Sequence, residues 1–208
     1  MMAHQATVYA VDDDPTTLTL LEALLRGEEY RVETYDSAET FLLAFRPEAP
    51  GCLLLDVCMP GMSGLELQEI LTKGGNDIPI IFVSGVDNVR TAVDVVKAGA
   101  IDFIEKPVQA DSVKRSVKRA VKIDIERRYK QLVQSQIQTR LETLTPREAE
   151  ILNWVAQGQS SKQIASILDI SARTVEVHRS RIMAKMNASN LIQLLEMLYT
   201  IGHISPDQ

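Results

Sequence analysis

Apolar and polar positions follow two different periods along the first half of the chain. Short apolar runs that end at glycine, proline or a charged residue are typical of buried strands, and here they alternate with amphipathic stretches of helical spacing. The predicted strands are Thr7–Val11, Arg31–Tyr35, Leu53–Leu55, Ile78–Val83 and Ile101–Ile104. The predicted helices are Pro15–Arg26, Ala38–Phe45, Leu65–Leu71, Val89–Ala98 and the stretch after Asp111, with Asp111 as its N-cap.

This alternation predicts a parallel sheet covered by helices on both faces, because parallel strands need crossover helices and the crossovers are right-handed. The fold class is therefore α/β, a flavodoxin-like doubly wound (βα)5 domain, followed by an all-α part. Loops at the carboxyl ends of parallel strands converge on one crevice. Three of these ends are charged, at Asp12-Asp13-Asp14, Asp56 and Lys106. Such a crevice is suited to binding a divalent cation and carrying a phosphoryl group.

No glycine or proline interrupts the chain from Val108 to Thr145. Apolar side chains recur through this stretch at helical spacing, so the fifth helix is predicted to continue as a rod of about 45 Å at 1.5 Å per residue. Two interpretations of the rod stay open. It is either a solvated spacer or a helix that dimerises or relays a signal.

Two capping boxes mark helix starts in the last third of the chain, at Thr145-Pro146-Arg147-Glu148 and at Ser160-Ser161-Lys162-Gln163. Helices are predicted over Ser161–Leu168 and Ala172–Met186, and a further helix near Ser189. Two helices joined by a turn of about three residues form a helix-turn-helix, whose second helix enters the major groove of DNA. On this second helix, the predicted core residues are Val175, Ile182 and Met186. The side chains left on its outer faces are Arg173, Thr174, Glu176, Val177, Ser180, Arg181 and Lys185.

Charge divides the chain into three parts. Residues 1–110 carry 18 acidic and 7 basic side chains, residues 111–143 carry 4 and 9, and residues 144–208 carry 6 of each. This asymmetry favours two domains with a basic connector: an α/β domain suited to carrying a phosphoryl group over 1–121, a helical linker over 122–142 and a helix-turn-helix DNA-binding domain over 143–208. Because no apolar stretch reaches the roughly 18 residues of a membrane span, and the N-terminus is unlike a signal peptide, we expect a cytoplasmic protein. Cys52 and Cys58 are predicted to be buried thiols, since two cysteines make a disulfide framework or zinc site improbable.

Seven motifs follow one another along nearly the whole chain. They are Val11-Asp12-Asp13-Asp14-Pro15, Asp56-Val57-Cys58-Met59-Pro60-Gly61-Met62-Ser63-Gly64, Val83-Ser84-Gly85, Ala98-Gly99-Ala100-Ile101-Asp102-Phe103, Lys106-Pro107, Leu144-Thr145-Pro146-Arg147-Glu148 and Thr174-Val175-Glu176-Val177-His178-Arg179. In this order and spacing the chain resembles two-component response regulators of the NarL/FixJ family, with a CheY-like receiver and a LuxR-type helix-turn-helix. The FixJ-like branch fits best, and within it the StyR-type regulators of aromatic-hydrocarbon catabolism.

The resemblance implies a transcription factor and not an enzyme acting on other substrates. A histidine kinase would phosphorylate Asp56, and the chain would then dimerise and bind promoter DNA to regulate, and we expect to activate, transcription. RNA polymerase is a further candidate partner, and no membrane partner is implied. Pairing between copies in the DNA-binding domain is expected through the last helix, with Leu191, Leu194, Leu195 and Leu198. The alternative is that these leucines only close the small core of the domain.

The resemblance also implies roles for single residues. Mg²⁺ would be bound by Asp12, Asp13, Asp56 and the backbone carbonyl of Cys58, and the phosphoryl oxygens by Ser84 and Lys106. The switch residues would be Phe103, which repacks inward on phosphorylation, and Pro107, which follows a cis peptide bond that directs Lys106 into the pocket. The DNA contacts are Lys162, Arg173, Thr174, Glu176, Val177, His178 and Arg181. A carboxylate becomes an effective nucleophile toward phosphorus once the phosphoryl charge is neutralised, which is the chemical reason for pairing Asp56 with a cation.

Three departures from the family pattern limit what can be carried over. Phe103 stands where many receivers have tyrosine, so an aromatic switch would lack a hydroxyl to anchor it. Cys58 and Val86 occupy positions that often hold polar residues, which leaves the rate of phosphate loss open. Glu176 stands where close relatives commonly carry lysine. A carboxylate there repels phosphate but can accept a hydrogen bond from cytosine N4, so the base preference cannot be copied.

Two alternatives share part of the pattern. Asp12-Asp13-Asp14-Pro15-Thr16 satisfies the Asp-x-Asp-x-Thr motif of haloacid-dehalogenase-type phosphatases, in which Asp12 would be the nucleophile. That class needs a further acidic metal motif after the lysine, whereas the chain after Lys106 becomes basic and ends in a helix-turn-helix. A phosphorylation-independent pseudo-receiver would lack at least one of Asp12, Asp13, Asp56, Ser84 and Lys106, and all five are present.

Overall fold

A computed structural model describes residues 5–85 and 99–204 of the chain. Val86 and the helix predicted over Val89–Ala98 lie outside the described residues. The chain divides into two compact units, Met1–Arg128 and Tyr129–Gln208.

The first unit contains a parallel five-stranded sheet with the order β2-β1-β3-β4-β5. Its strands are β1 (Ala6–Val11), β2 (Tyr30–Tyr35), β3 (Gly51–Leu55), β4 (Ile80–Ser84) and β5 (Asp102–Glu105). All five predicted strands are confirmed, with ends displaced by one or two residues. The register pairs Val11 with Leu55. Asp12 and Asp56 therefore leave the sheet side by side.

Both faces of this sheet are buried. Alternate residues such as Val8 and Leu54 pack into one apolar cluster, and Tyr9 and Leu55 pack into the other. This is the arrangement expected when helices cover both faces of a parallel sheet, and it confirms the predicted fold class. Cys52 is a buried free thiol as predicted, but Cys58 is exposed, because it lies in the loop after Asp56 and not in the strand.

Three helices of the first unit begin at polar N-caps. They are α1 (Pro15–Leu25), α2 (Ala38–Ala44) and α3 (Gly64–Lys73). Asp14 caps α1 by accepting hydrogen bonds from the backbone N–H groups of Thr16 and Thr17. Ser63 and Glu66 form a complete capping box at the start of α3, which fixes where this helix begins after the Asp56 loop.

A 33-residue helix, α4 (Ala110–Glu142), follows β5, and the division between the two units falls within it. The predicted N-cap at Asp111 is wrong, since Asp111 lies in the first helical turn. An acidic residue favours either position, because both interact with the positive end of the helix dipole. Within the first unit, the buried carboxylate of Asp124 accepts a hydrogen bond from the Gly51 backbone N–H at 3.0 Å.

The second unit has four further helices among its described residues. They are α5 (Pro146–Ala156), α6 (Ser161–Leu168), α7 (Ala172–Met186) and α8 (Leu191–Thr200), with N-caps at Thr145, Ser160, Ser171 and Asn190. The helix-turn-helix bounds predicted for α6 and α7 are confirmed. Val175, Ile182 and Met186 are buried as predicted. The turn between α6 and α7 contains Asp169 in the left-handed conformation, with a φ of 50°.

Candidate functional site

The carboxyl edge of the sheet brings two carboxylates and one ammonium group into contact. Lys106 Nζ lies 2.8 Å from Asp12 Oδ2 and 3.0 Å from Asp56 Oδ1. Asp12 and Asp56 are 1% and 5% exposed, so the lysine partly neutralises two buried charges. Their backbones are joined as well, because the Asp56 N–H donates to the Val11 carbonyl at 2.9 Å.

Local electrostatics favour a charged lysine between the two carboxylates. Burial raises the pKa of Asp12 above its usual value, and the neighbouring Lys106 ammonium lowers it in part. Burial alone would lower the pKa of Lys106, but its contacts with Asp12 and Asp56 raise it above the ordinary value. This is the pattern of a lysine ammonium shared by two acids in a site of low dielectric.

The loop after Asp56 is packed directly against the acidic edge. The Cys58 backbone N–H donates to Asp56 Oδ2 at 2.8 Å, which fixes the orientation of that carboxylate. Gly64 begins α3 so close to the loop that an added Cβ would lie 2.1 Å from the Asp56 carbonyl oxygen. Only glycine fits at this position. The carboxylate of Glu39 on α2 accepts a hydrogen bond from the Met62 N–H at 3.1 Å and supports the same loop.

The donor set fits a hard divalent cation. Asp12 Oδ2 is buried and, apart from its ion pair with Lys106, has no hydrogen-bond partner. Asp13 is exposed at the rim. Among the described residues no three His, Cys, Asp or Glu side chains stand ready to enclose a metal. Mg²⁺ does not require such a cage, because it keeps several waters and takes one or two carboxylates.

Ser84 and Phe103 complete the pocket region. Ser84 is buried at the end of β4, and its carbonyl accepts a hydrogen bond from the Lys106 N–H at 2.9 Å. The Lys106-Pro107 peptide bond is cis, as expected. Phe103 is half-buried and lines a surface cavity of 560 Å³ together with Lys106 and Pro107. The described structure therefore places both predicted switch residues beside the pocket lysine.

The outer face of α7 is polar and exposed. Arg173, Thr174 and Arg181 are exposed, Val177 is 45% exposed, and His178 is half-buried. Lys162 is exposed in the first turn of α6. Arginines can bind phosphates, and an exposed apolar side chain such as Val177 can contact a base. This face of α7 is therefore suited to both kinds of DNA contact.

Two charged residues of α7 have partners inside the unit. The prediction that Lys185 lies on the outer face is wrong, because its ammonium pairs with the buried Glu148 carboxylate at 2.6 Å and donates to the Thr143 carbonyl at 2.9 Å. Glu176 is exposed but accepts a hydrogen bond from the Ser161 hydroxyl, and it lines a cavity toward α8 with Arg179 and Leu191. Lys185 is therefore not among the cations available to DNA.

The predicted pairing face of α8 needs a correction. Leu194 and Leu198 are 1% and 0% exposed and close the core of the unit. The apolar side chains that remain exposed are Leu191, Ile192 and Tyr199, at 41%, 70% and 58%. Four leucines at helical spacing do not show by themselves which side of the helix faces the core.

Comparison with known proteins gives two family matches. Residues 8–118 match the response regulator receiver domain, and residues 142–198 match the luxR family of bacterial regulatory proteins. The chain belongs to the response regulator family. This response regulator is 40% identical over 197 residues to the response regulator protein TmoT of Ectopseudomonas mendocina, covering 95% of this chain and 90% of TmoT.

Two further similarities extend over nearly the full length. The transcriptional regulatory protein FixJ of Rhizobium meliloti (strain 1021) is 41% identical over 197 residues, covering 94% of this response regulator and 96% of FixJ. The solved structure of the response regulator StyR matches with a TM-score of 0.85 and 40% identity, covering 94% of this chain and 98% of that chain. The resemblance to the FixJ-like branch is confirmed.

The family assignment settles the class of protein. A receiver joined to a LuxR-type domain is a DNA-binding transcription regulator and not the phosphatase considered above. The receiver implies a histidine kinase partner, and the LuxR-type domain implies DNA as a partner. Receivers generally bind Mg²⁺ at their acidic pocket. None of the helices in the described ranges is long and apolar enough to cross a membrane.

Proposed function

We propose that Asp56 accepts a phosphoryl group from the histidine of a sensor kinase. The observation that carries this assignment is the Lys106 ammonium held between Asp12 and Asp56, at 2.8 and 3.0 Å. A carboxylate oxygen of Asp56 would form the new bond to phosphorus while the bond to the kinase's histidine nitrogen breaks. Lys106 would bind a phosphoryl oxygen, and the buried Ser84 hydroxyl another.

The metal ligands we propose are Asp12, Asp13 and Asp56, with the Cys58 backbone carbonyl. When bound, Mg²⁺ neutralises the charge of the phosphoryl oxygens, so that the carboxylate can approach phosphorus. Replacing Asp13 with alanine should abolish metal-dependent phosphorylation, while the fold survives because removing one carboxylate relieves repulsion in an acidic cluster. Wild-type dependence on Mg²⁺ in the Asp13→Ala variant would contradict this ligand assignment.

We further propose that phosphorylation repacks Phe103 inward and favours dimerisation. In this structure Phe103 lines an open cavity and has room to change its packing. Within the DNA-binding unit we propose that the exposed face of α8, formed by Leu191, Ile192 and Tyr199, pairs with the same face of a second copy. Two recognition helices on half-sites about one helical turn apart then add their contacts.

The proposed DNA contacts fall into two groups. Lys162, Arg173 and Thr174 lie where side chains and helix N-termini meet the phosphate backbone. Val177 and Arg181 lie one turn apart on the exposed face of α7 and are proposed to read bases. Glu176 and His178, which lie beside Val177 on α7, are the remaining proposed DNA contacts. Glu176 accepts a hydrogen bond from Ser161, and the Nδ1 atom of His178 is buried without a hydrogen-bond partner. RNA polymerase, contacted from the same bound dimer, is the proposed partner in activation.

The acceptor assignment is tested by incubating the full chain with a small phosphodonor and Mg²⁺, and then trapping the acyl phosphate with borohydride. One modification is expected, on Asp56. An Asp56→Asn variant serves as the matched control and should remain unlabelled. Label on Asp12 would refute the assignment and restore the phosphatase alternative.

A further inference from the structure

The carboxyl-terminal turn of α7 is held by side chains and carbonyl groups from two other segments of the same unit. The Lys185 ammonium contacts Glu148 Oε2 at 2.6 Å and the Thr143 carbonyl oxygen at 2.9 Å. In the opposite direction, the Arg140 guanidinium donates to the Met186 carbonyl at 3.3 Å. The end of α4, the start of α5 and the end of α7 therefore meet in one polar junction.

The central ion pair of this junction is partly buried. Glu148 is 3% exposed, and its Oε2 also receives hydrogen bonds from the Thr145 N–H at 2.8 Å and the Thr145 hydroxyl at 3.0 Å. The contact with Lys185, and next the Thr145 N–H, lower the pKa of Glu148 to about 2. A buried carboxylate that loses its cation is strongly disfavoured. Lys185 therefore cannot turn toward a DNA phosphate without leaving Glu148 unpaired.

Because the junction holds one end of α7, it controls the position of the proposed DNA-contacting residues at the other end. Helix α7 has 15 residues and is about 22 Å long at 1.5 Å per residue. If its carboxyl end is released and the helix tilts by about 5°, the opposite end moves by about 2 Å, which is enough to break a hydrogen bond to a base. Arg173 and Thr174 lie at that opposite end.

We propose that Glu148 and Lys185 are positioning residues of the DNA interface. Their ion pair fixes the carboxyl-terminal turn of α7 against α5 and the end of α4, and it sets the orientation in which Val177 and Arg181 meet DNA, although neither residue of the pair touches DNA. This role rests on the proposed function of α7 as the recognition helix.

Salt dependence separates a positioning lysine from a lysine that binds phosphate. Each phosphate contact contributes about 0.9 to the slope of log affinity against log salt concentration. We would titrate the phosphorylated full chain with a duplex selected from a random pool by the wild-type protein. The variants are Lys185→Met, Glu148→Gln and the double variant, with Lys162→Met as an exposed control of the same chemistry.

Lys185→Met and Glu148→Gln should each weaken binding about tenfold, and the double variant should be no weaker than the weaker single variant, because both changes remove one interaction. The salt slope should be unchanged in all three. In the Lys162→Met control the magnitude of the slope should fall by about one for each bound copy. Lys185→Arg, which keeps the charge and the donor groups, should restore most of the affinity.

Two results would overturn the proposal. One is a salt slope whose magnitude falls by about one for each bound copy in Lys185→Met, together with additive effects in the double variant, which would make Lys185 a phosphate contact. The other is wild-type affinity in folded Glu148→Gln. If a single variant does not fold, the neutral pair Glu148→Gln/Lys185→Gln leaves no buried charge, and wild-type affinity in that folded variant refutes the role equally. If Val177→Ala and Arg181→Ala instead bind the selected duplex with wild-type affinity, α7 is not the recognition helix and the proposed function itself fails.

Discussion

Replacing Gly64 with alanine tests the packing that holds the phosphoacceptor loop. A Cβ at this position would lie 2.1 Å from the Asp56 carbonyl oxygen and 3.1 Å from the Leu55 Cγ. Non-bonded heavy atoms approach favourably to about 3.5 Å, so the loop and α3 must separate by more than about 1 Å. The obstructing atom belongs to the backbone of the phosphoacceptor and cannot turn away as a side chain could.

We expect Gly64→Ala to lower both the stability of the first unit and the rate of Asp56 phosphorylation. Overpacking costs about 1–3 kcal/mol, and we expect the upper end because backbone must move. With a urea m-value of about 2 kcal/mol/M, the unfolding midpoint of the first unit should fall by about 1–1.5 M. A shift of about 1 Å in a reacting group can reduce a rate about 100-fold. Phosphorylation of Asp56 should slow by a factor of that order.

The assay combines urea unfolding, followed by circular dichroism, with the rate of phosphorylation by a small phosphodonor. Gly74→Ala is the matched control, because its Cβ would meet no atom closer than 3.3 Å and its φ of −76° suits alanine. The chain has one tryptophan, Trp154, in the second unit, and its fluorescence should report an unchanged transition. Wild-type stability and phosphorylation in Gly64→Ala would refute this account of the loop.

Two further predictions concern the second unit. The pKa of Glu148 is lowered from 4.5 to about 2, so the ionised carboxylate contributes stability of about 1–3 kcal/mol at neutral pH once solvent screening at the partly exposed Lys185 is included, and this is lost as the pH falls from about 5 through 2. Unfolding followed by Trp154 fluorescence should show this loss in the wild type and a weaker pH dependence in Glu148→Gln, and equal profiles would contradict it. Ile192→Glu should weaken pairing on DNA, measured by sedimentation of the complex, whereas Leu43→Glu, at a 79% exposed site of the first unit, should not.

The strands and helices of the described residues were predictable from the sequence, because they depend on local or periodic signals, and so was the meeting of Asp12, Asp56 and Lys106 at one edge of the sheet. Strands are bounded by charges and glycines, and the capping boxes at Thr145 and Ser160 specify the first turns of α5 and α6 within four residues. The pocket followed from one topological rule, that parallel strands release their loops at the same edge.

Side-chain pairs between distant residues were not predictable in this way. Glu148 could be assigned to a capping box, but its partner Lys185 lies 37 positions later. Asp124 likewise bonds to Gly51 across 73 positions. The only sequence signal for either pair is the presence of a charge on an otherwise core-facing side of a helix. That signal does not name the partner.

The pairing of Lys185 with Glu148 also predicts how the number of bound copies affects the salt dependence of DNA binding. Of the basic residues on α6 and α7, Lys185 is paired with Glu148, and Arg179 is half-buried beside Glu176. Three exposed cations remain on these helices, Lys162, Arg173 and Arg181. Two of them, Lys162 and Arg173, are the proposed phosphate contacts, so one copy should give a slope of log affinity against log salt of about −1.8, and a bound pair about −3.6, at about 0.9 per phosphate. Titration of the phosphorylated chain on its selected duplex at several salt concentrations measures this directly. A slope near −1.8 would show that a single copy binds, and it would contradict the proposed pairing through α8.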